Sequence, residues 1–427
     1  MTGETSQLDE AWAAFASGRI DDVLRTTTAI LEKDPTHLHA AALAVEALPK
    51  RRAAAAAAHA LCRACARRGD LPRAMVLAIR AGSTADELRH ELAKTFGSGS
   101  ARARDVAPAP PPLPPHDRTI PASLAKLSGA ALVTRAEKAL AKAAAVDTLD
   151  DSTAVPRLPL FGALSPPSLE QLLAAWEPRV VPEGEHVVRE GEEGRHAFLL
   201  VHGRLRVARD GVVLAALGPG SIFGEMALVS DAPRAASVIA EEACQILAAS
   251  RDDLEKLAAK TPKIGQQLAD FCRGRMVSNL IHHSAILRAV DASKRAELMA
   301  RFTERSFKVG EKLLAHGQES TGLFLVASGA VRVVGRDADG EALELARLGP
   351  GDVVGEIGLV LRRPITADVV ATHATVALEL TRERFQEAIQ DHPTLLGELY
   401  ALATKREEET RTVVAQEPID VGEAILL

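Results

Sequence analysis

Residues 223–238, with the sequence FGEMALVSDAPRAASV, combine a carboxylate, a guanidinium and several small residues in one short segment. Gly224 lets the backbone approach a ligand closely. Glu225 opens a stretch that favours a short helix, and the first N–H groups of a helix attract an anion. Arg234 follows nine residues after Glu225, and its guanidinium can grip two phosphate oxygens at once. The segment therefore suits a phosphate attached to a sugar, with the carboxylate accepting a hydrogen bond from a ribose hydroxyl.

The region after Leu158 contains two copies of one glycine-rich pattern. Residues of the first copy recur 126 positions later up to Gly203, and 131 positions later beyond the next hairpin. The extra residues fall in a turn, where RDG becomes the longer GRDADGE, and loops accept such insertions at little cost. Matched pairs are Phe161 with Leu287, Gly184 with Gly310, Gly203 with Gly329, Gly224 with Gly355, Glu225 with Glu356 and Pro262 with Pro393. Two copies of one domain therefore stand in tandem.

Each copy is predicted to contain a helix, a run of short β-strands bounded by glycine, and a closing helix. In the stretch GRLRVARD, Leu205 and Val207 alternate with arginines as in a half-buried strand. Asp210 and Gly211 then supply a tight hairpin turn. Many short strands of this kind favour a jelly roll or barrel. The closing helix of the first copy is predicted over residues 251–281.

The segment 223–238 resembles the phosphate-binding cassette of the cyclic-nucleotide-binding superfamily, which includes the regulatory subunit of cyclic-AMP-dependent protein kinase and the bacterial catabolite activator. FGE, the Ala-Leu pair and PRAASV occur in order at the family spacing. The resemblance implies that Glu225 binds the ribose 2′-hydroxyl, that Arg234 binds the cyclic phosphate and that Leu228 transmits occupancy to the following helices. The ligand-binding residues it implies are Gly224, Glu225, Met226, Ala227, Arg234, Ala235, Ala236 and Ser237.

The residue after the arginine bears on the choice of base. In the resembled family, threonine at this position often accompanies cyclic GMP, whereas this chain has Ala235, which favours cyclic AMP. The hydroxyl of Ser237 leaves cyclic GMP as the alternative ligand. Phe271, in the closing helix, is interpreted as either an adenine cap or a core residue. No further cofactor and no metal are expected.

The second copy departs from the pattern at its phosphate position. Its segment reads VVGEIGLVLRRPITADVV, so that Ile365 takes the place of Arg234 and Asp368 that of Ser237, although Glu356 is kept. An anion facing these residues would lose its main countercharge and meet a repulsive one. Arg362 and Arg363 are interpreted as solvated surface residues, with substitution for the missing arginine as the alternative. We expect the second cassette to be degenerate.

Residues 1–95 are alanine-rich and predicted to be helical. Gly18 and Gly69, each followed by regularly spaced small residues, resemble the turns of tetratricopeptide (TPR) helix pairs. The two glycines are 51 residues apart, against about 34 in that family, so an extra helix intervenes or the array is irregular. A generic helical bundle is the alternative. Cys62 and Cys65 form a C-x-x-C without a second pair, and we interpret them as small core residues.

The predicted fold class is multidomain α+β, an N-terminal all-α (TPR-like) region followed by two β jelly-roll cyclic-nucleotide-binding domains with flanking helices. A stretch rich in proline and glycine has no means of packing and is predicted to be an extended linker, so the helical region should be tethered to the first domain and not fused to it. The predicted boundaries are 1–95 for the helical region, 96–121 for the linker, 122–157 for a connecting helix, 158–281 and 282–410 for the two domains, and 411–427 for a tail.

Composition excludes several classes of function. The 51 basic and 57 acidic residues give a net charge of −6, which disfavours a nucleic-acid or membrane-surface partner. No apolar stretch is long enough for a membrane span and the N-terminus has no secretory signal, so a cytoplasmic location is expected. Walker, kinase, metalloprotease and hydrolase motifs are absent from the sequence, so the protein is not expected to be an enzyme.

The leading interpretation is therefore a cyclic-AMP sensor that acts as a regulatory or adaptor protein, with an unidentified protein partner bound by the helical region. Ligand binding in the first domain is expected to shift the arrangement of the domains and the binding of the partner. One alternative is a constitutive scaffold whose nucleotide site is vestigial. The other is a transcription regulator, which would need a DNA-binding helix-turn-helix, although only 17 residues follow Thr410.

Overall fold

A computed structural model describes residues 6–106, 120–146, 154–209, 211–228, 233–336 and 340–415 of the chain. The chain divides into two compact units, Met1–Leu228 with Ala236–Phe271, and Val229–Ala235 with Cys272–Leu427. Residues 107–119 of the predicted linker, 147–153 of the predicted connecting segment and 416–427 of the tail lie outside the described residues.

The first unit begins with helices joined by short turns. Ser6 and Asp9 form a capping box on the first helix, in which the Ser6 hydroxyl accepts from the Asp9 N–H at 3.1 Å and the Asp9 carboxylate accepts from the Ser6 N–H at 2.9 Å. The helices are α1 (Gln7–Ala16), α2 (Ile20–Lys33), α3 (Leu38–Ala47), α4 (Arg52–Arg67), α5 (Leu71–Arg80) and α6 (Ala85–Phe96). They are followed by β1 (Ala103–Arg104), α7 (Ala122–Ala125), α8 (Gly129–Ala144) and β2 (Val155–Pro156).

Two helical hairpins occur where the sequence predicts them. Gly18 and Gly69 lie in the turns between α1 and α2 and between α4 and α5, with φ of +74° and +78°. Glycine adopts this left-handed conformation without a steric penalty. Helix α3 lies between the two hairpins and is the extra helix that their spacing allows. The all-α prediction is confirmed, and the TPR-like character stays a prediction.

The two cysteines of the C-x-x-C are core residues, as interpreted. Cys62 and Cys65 are each 1% exposed. Burial raises the pKa of the Cys62 thiol to about 12 and raises that of Cys65 as well. The Cys62 thiol donates to the carbonyl oxygen of Ala74 at 3.2 Å. Within the described residues, no cluster of three or more His, Cys, Asp or Glu side chains is arranged to hold a metal ion.

The first domain is an antiparallel jelly roll of two four-stranded sheets, with orders β3-β10-β5-β8 and β4-β9-β6-β7. Strands β6 and β7 form the predicted hairpin, with Gly211 at φ +77° in its turn; Asp210 lies outside the described residues. The elements are α9 (Pro166–Leu173), β3 (Glu177–Val181), β4 (His186–Val188), β5 (His196–His202), β6 (Leu205–Arg209), β7 (Val212–Leu217), β8 (Ile222–Phe223), β9 (Ser237–Ala240), β10 (Cys244–Ser250), α10 (Arg251–Lys260) and α11 (Pro262–His283).

The second domain repeats this topology strand for strand. Its sheets have the orders β11-β18-β13-β16 and β12-β17-β14-β15, so each strand number exceeds that of its counterpart by eight. The tandem repeat and the multidomain α+β fold are thereby confirmed. The elements are α12 (Ala285–Arg288), α13 (Arg295–Met299), β11 (Thr303–Phe307), β12 (Lys312–Leu314), β13 (Gly322–Ser328), β14 (Val331–Arg336), β15 (Ala342–Leu348), β16 (Val353–Val354), α14 (Glu356–Val360), β17 (Asp368–Ala371), β18 (Thr375–Thr381), α15 (Arg382–Asp391) and α16 (Pro393–Ala415).

Two predicted single helices are each divided in the structure. The closing helix predicted over 251–281 consists of α10 and α11, with Pro262 as the first residue of α11. Proline is tolerated at the first position of a helix but cannot lie inside one without breaking a hydrogen bond, so α10 ends before it. The connecting helix predicted within 122–157 consists of α7 and α8.

The helical region and the first domain share one continuous hydrophobic core, so the expectation of a tethered helical region is wrong. Trp12, 2% exposed, stacks on His202 of β5 with 4.6 Å between ring centroids. Arg73 of α5 donates through Nη2 to the carbonyl oxygen of Val201 at 3.4 Å. The contacts join residues far apart in the chain, which is why no local pattern in the sequence announces them.

The described part of the predicted linker also packs. The Ser98 N–H donates to the carbonyl oxygen of Leu164 at 2.7 Å. Ala103, 4% exposed, pairs in parallel with Val155. The expectation that 96–121 has no means of packing is therefore wrong for residues 97–104, because the prolines lie further along and these residues keep the backbone N–H groups that pairing requires.

We expect His202 to make the first unit sensitive to acid. Burial, assisted by the positive charge of Arg73, lowers the pKa of His202 to about 3, whereas in an unfolded chain it is about 6.5. The unfolded state thus binds the proton more readily than the folded state. The contribution of His202 to the free energy of unfolding is therefore fully present above about pH 6.5, and it is lost as the pH falls towards the pKa of His202 in the folded state. The apparent Tm should fall between about pH 7 and 5, and His202→Phe, which keeps an aromatic ring against Trp12, should flatten part of this dependence. The rest is expected from His39, because burial lowers its pKa to about 2.

The matched control is His186→Phe, because His186 is exposed on β4 of the same unit. This variant should keep the pH dependence of the natural sequence. An equal flattening in both variants, measured by thermal unfolding at a series of pH values, would show that His202 is not the responsible group.

Candidate functional site

In the first domain the cassette begins directly after strand β8. Phe223 anchors that point, with its ring stacked on Phe198 of β5 at 5.2 Å between centroids. Gly224 has φ of +71°, a conformation that glycine adopts freely. A single 3₁₀ turn then covers Glu225–Leu228, which confirms the short helix predicted there. Glu225 is only 5% exposed, so its carboxylate is held inside the domain.

The remaining predicted ligand residues of the first unit follow along the same segment. Met226 is half-buried in the 3₁₀ turn, Ala236 is half-buried just before β9, and Ser237 is the first residue of β9. Ala227 belongs to the turn, but its side chain is outside the described part of the structure. Phe271 packs against the core of the first unit, in agreement with its interpretation as a core residue.

Arg234 and Ala235 belong to the short segment 229–235 that groups with the second unit, whereas Glu225 belongs to the first. Arg234 is half-buried and Ala235 is exposed. Residues 229–232, which separate them from the 3₁₀ turn, lie outside the described residues. Joint binding of one ligand by Glu225 and Arg234 therefore stays a prediction from the cassette sequence.

Ser237 and its counterpart Asp368 have a structural role that the sequence interpretation missed. The Ser237 hydroxyl accepts a hydrogen bond from the Glu190 N–H at 3.0 Å. Asp368 accepts from the N–H of His316 at 2.9 Å and pairs with Lys312 at 2.8 Å. The hydrogen bond from Lys312, followed by that from His316, lowers the pKa of the Asp368 carboxyl. Asp368 thus has its own countercharge, which corrects the view of it as a purely repulsive group facing a ligand.

In the second domain the retained glutamate already has a cation. Glu356, 2% exposed, begins α14 directly after Gly355, whose φ is +89°. Arg406 of α16 places Nη1 2.9 Å from Oε1 of Glu356, and the same nitrogen donates to the carbonyl oxygen of Val353. Sequence reasoning missed Arg406. The signal was the repeat itself, because Arg275 stands 131 positions earlier, at the offset that relates the two helical tails.

The position of the missing phosphate-binding arginine is part of the apolar core. Ile365 is 8% exposed and packs in a cluster that includes Leu314 and Val354. Arg362 and Arg363 are exposed, and Arg363 pairs with Glu407 of α16 at 2.9 Å. Their interpretation as surface residues is confirmed.

The comparison with known families agrees with this architecture. Residues 178–261 and 304–392 each match the cyclic nucleotide-binding domain family. The chain is thus a protein with two cyclic nucleotide-binding domains in tandem, preceded by an all-α region. No helix within the described residues is both long and apolar enough to cross a membrane.

The chain resembles regulatory subunits of protein kinase A. It is 28% identical over 219 residues to the cAMP-dependent protein kinase type II regulatory subunit of Drosophila melanogaster, covering 51% of this chain and 56% of that protein. It is 27% identical over 230 residues to the cAMP-dependent protein kinase regulatory subunit of Yarrowia lipolytica, covering 54% of this chain and 58% of that protein. The chain thus matches little more than half the length of these relatives.

Two solved structures are also similar. The regulatory domain of Toxoplasma gondii PKA with cAMP is 25% identical, with a TM-score of 0.28, and the match covers 58% of this chain and 92% of that one. The Thermus thermophilus catabolite activator protein is 29% identical, with a TM-score of 0.29, and the match covers 31% of this chain and 62% of that one.

We expect Arg406→Ala to destabilise the second domain strongly. The substitution leaves the carboxylate of Glu356, whose side chain is 3% exposed, without its cation. Removing one partner of a buried ion pair costs roughly 3–5 kcal/mol, because the remaining charge is uncompensated. Urea unfolding followed by circular dichroism measures the loss.

Arg363→Ala is the matched control, since it breaks the other arginine pair made to α16, in which the Arg363 side chain is 57% exposed. Its cost should stay below about 1 kcal/mol. The double variant Glu356→Gln with Arg406→Ala should recover part of the stability by removing the orphaned charge. Equal effects of the two arginine variants would mean that burial of Glu356 is not what makes Arg406 important.

Proposed function

We propose that this protein is a cyclic-nucleotide sensor that acts as a regulatory or adaptor protein, with cyclic AMP bound by the first domain. Under this proposal the helical region binds a protein partner, and nucleotide binding shifts the population of the conformations that the partner recognises. The second domain has no cyclic-nucleotide site of the usual kind, because Ile365 and not arginine occupies its phosphate position.

One observation carries the proposal. A complete cassette sequence, with Glu225 and Arg234 at the family spacing, begins in the first matched domain at a 3₁₀ turn that buries the carboxylate. A carboxylate accepts hydrogen bonds through two oxygens, and a ribose hydroxyl is a suitable donor to it. The similarity to cAMP-dependent protein kinase regulatory subunits supports cyclic AMP as the ligand.

Strand β5 offers a route from the cassette to the helical region. The 3₁₀ turn of the cassette packs against β5. On one face of the strand, Ala197, Leu199 and Val201 belong to the core that includes the helices, whereas Phe198 and Leu200 on the other face belong to the jelly-roll core. A ligand that shifts the turn therefore acts on a strand already in contact with the proposed partner-binding region.

Isothermal titration tests the ligand and its site. Cyclic AMP should bind the full chain at one site, and Arg234→Ala should weaken binding by about 1.5 to 3.5 decades. This range corresponds to roughly 2–5 kcal/mol for truncating one partner of a buried charge pair. The phosphate loses its bidentate donor, while the ribose contact at Glu225 is untouched.

Arg206→Ala is the matched control, because Arg206 is an exposed arginine on β6 of the same domain. The affinity of this variant for cyclic AMP should stay within about twofold of that of the natural sequence. A loss below threefold in Arg234→Ala would show that the phosphate is held elsewhere, and two equivalent sites per chain would contradict the assignment of the second domain. No binding at all would favour a scaffold.

Hydrogen exchange tests whether binding is communicated. Cyclic AMP should change protection in residues 224–228 and 233–238, and also along β5 and in α5, which contacts it through Arg73. A coupling of about 1–3 kcal/mol is typical of such linkage. The Arg234→Ala variant at the same nucleotide concentration is the control and should show no change. Protection changes that stop at the cassette would mean that the domain binds without signalling.

A further inference from the structure

The second domain contains a cavity of about 380 Å³ between its β-strands and helix α16. This volume lies in the range of small-molecule sites, roughly 300–1,000 Å³. Apolar side chains from five strands, the cassette and the closing helix line it, among them Leu314, Val333, Leu345, Ile365, Val369 and Leu402. The cavity is therefore large enough, and apolar enough, to hold an organic ligand.

Ionisable side chains of both signs line this cavity. Glu356 and Arg406 form the buried pair described above, and Lys405 pairs with Glu409 at 3.6 Å. Asp352 also lines the cavity, and its carboxylate accepts from the Gly349 N–H at 2.9 Å. Three acidic and two basic side chains leave an excess of one negative charge on the wall.

An anion entering this cavity would meet unfavourable surroundings. The wall has a negative excess, and Ile365 at the phosphate position offers no donor. Arg406 is engaged both by Glu356 and by the carbonyl oxygen of Val353. To bind an anion it would have to release a carboxylate that is only 3% exposed, which is strongly unfavourable.

We propose that the second domain binds an uncharged, mainly apolar small molecule with a hydrogen-bond donor, in the cavity bounded by strands β12, β14, β15, β16 and β17 and helix α16. The apolar wall provides the affinity through burial. The carboxylate of Glu356 and the hydroxyl of Thr366 on the same wall are acceptors for the donor of the ligand. This site is separate from the cyclic-nucleotide site proposed for the first domain, so either assignment can fail without the other.

Two fluorescent probes that share an anilinonaphthalene framework test the charge preference. N-phenyl-1-naphthylamine is neutral and has one N–H donor, and 8-anilino-1-naphthalenesulfonate adds a sulfonate to the same framework. The full-length protein should bind the neutral probe saturably, and about tenfold or more tightly than the sulfonate. Equal or tighter binding of the sulfonate would overturn the proposal.

Two tryptophan substitutions on β15 locate the binding. Ala346 is exposed and lines the cavity, whereas Ala342 is exposed on the same strand and does not. Ala346→Trp should fill the cavity and lower the affinity for the neutral probe by about tenfold or more. Ala342→Trp should change that affinity by less than about twofold. Both positions are exposed, so both variants should keep the Tm. Equal affinities in the two variants would place the probe elsewhere and refute the site.

Ile365→Arg provides an independent check of the electrostatic argument. A guanidinium in the wall should reverse the preference, so that the sulfonate binds more tightly than the neutral probe. Circular dichroism establishes whether this core variant folds, and the Ala346→Trp and Ala342→Trp pair decides the proposal if it does not. A folded Ile365→Arg protein with an unchanged preference would show that charge does not control this cavity.

Discussion

Strand β5 is covered on both of its faces, and the organisation of the first unit depends on this arrangement. An antiparallel strand with one solvated face alternates apolar and polar residues, but Ala197 to Val201 forms an unbroken apolar run in which every residue is buried. One face fills the jelly-roll core and the other fills the core that includes the helices. Residues of α1–α6 and of the domain's own helices α9, α10 and α11 all belong to this second core. The helical region therefore shares a core with the first nucleotide-binding domain and contacts β5 through α5.

Signals that are local in the chain made much of the fold predictable. Glycines such as Gly184 and Gly310 take positive φ in turns that recur in each copy, so their spacing revealed two domains of one topology. The stacking of Trp12 on His202 has no comparable signal, because it joins distant segments and each residue alone is compatible with many environments. The fusion of the helical region to the first domain was missed for that reason. The tandem domains and the location of the cassette turn were foreseen.

The position of the cassette turn was predictable from the sequence, whereas the partners of the cassette side chains were less so. The residue pattern of one segment predicted a short turn at Glu225. The structure has this turn, and the Glu225 side chain is buried in it. The partner of Glu356 comes from a helix 50 residues away, and only the repeat register of Arg275 and Arg406 points to it. Ser237 was interpreted through the ligand, yet its hydroxyl holds the Glu190 N–H. Hydroxyl and carboxylate side chains serve backbone groups as readily as ligands, and sequence does not distinguish the two uses.

The second domain shows that the jelly roll does not require an arginine at the cassette position. Ile365 is 8% exposed there and packs with Leu314 and Val354, so the position contributes apolar burial of roughly 25 cal/mol per Å². A guanidinium at the same place contributes little burial and must be compensated by negative charge. Arginine is therefore a poor choice for stability alone, and its value lies in the anion it can hold. Under the proposed function, ligand binding stabilises the first domain by mass action, whereas the second domain is stable through its own core and its Glu356–Arg406 pair. A domain of this topology can thus fold without a phosphate-binding arginine. The cavity of the second domain can then accept a ligand that carries no charge.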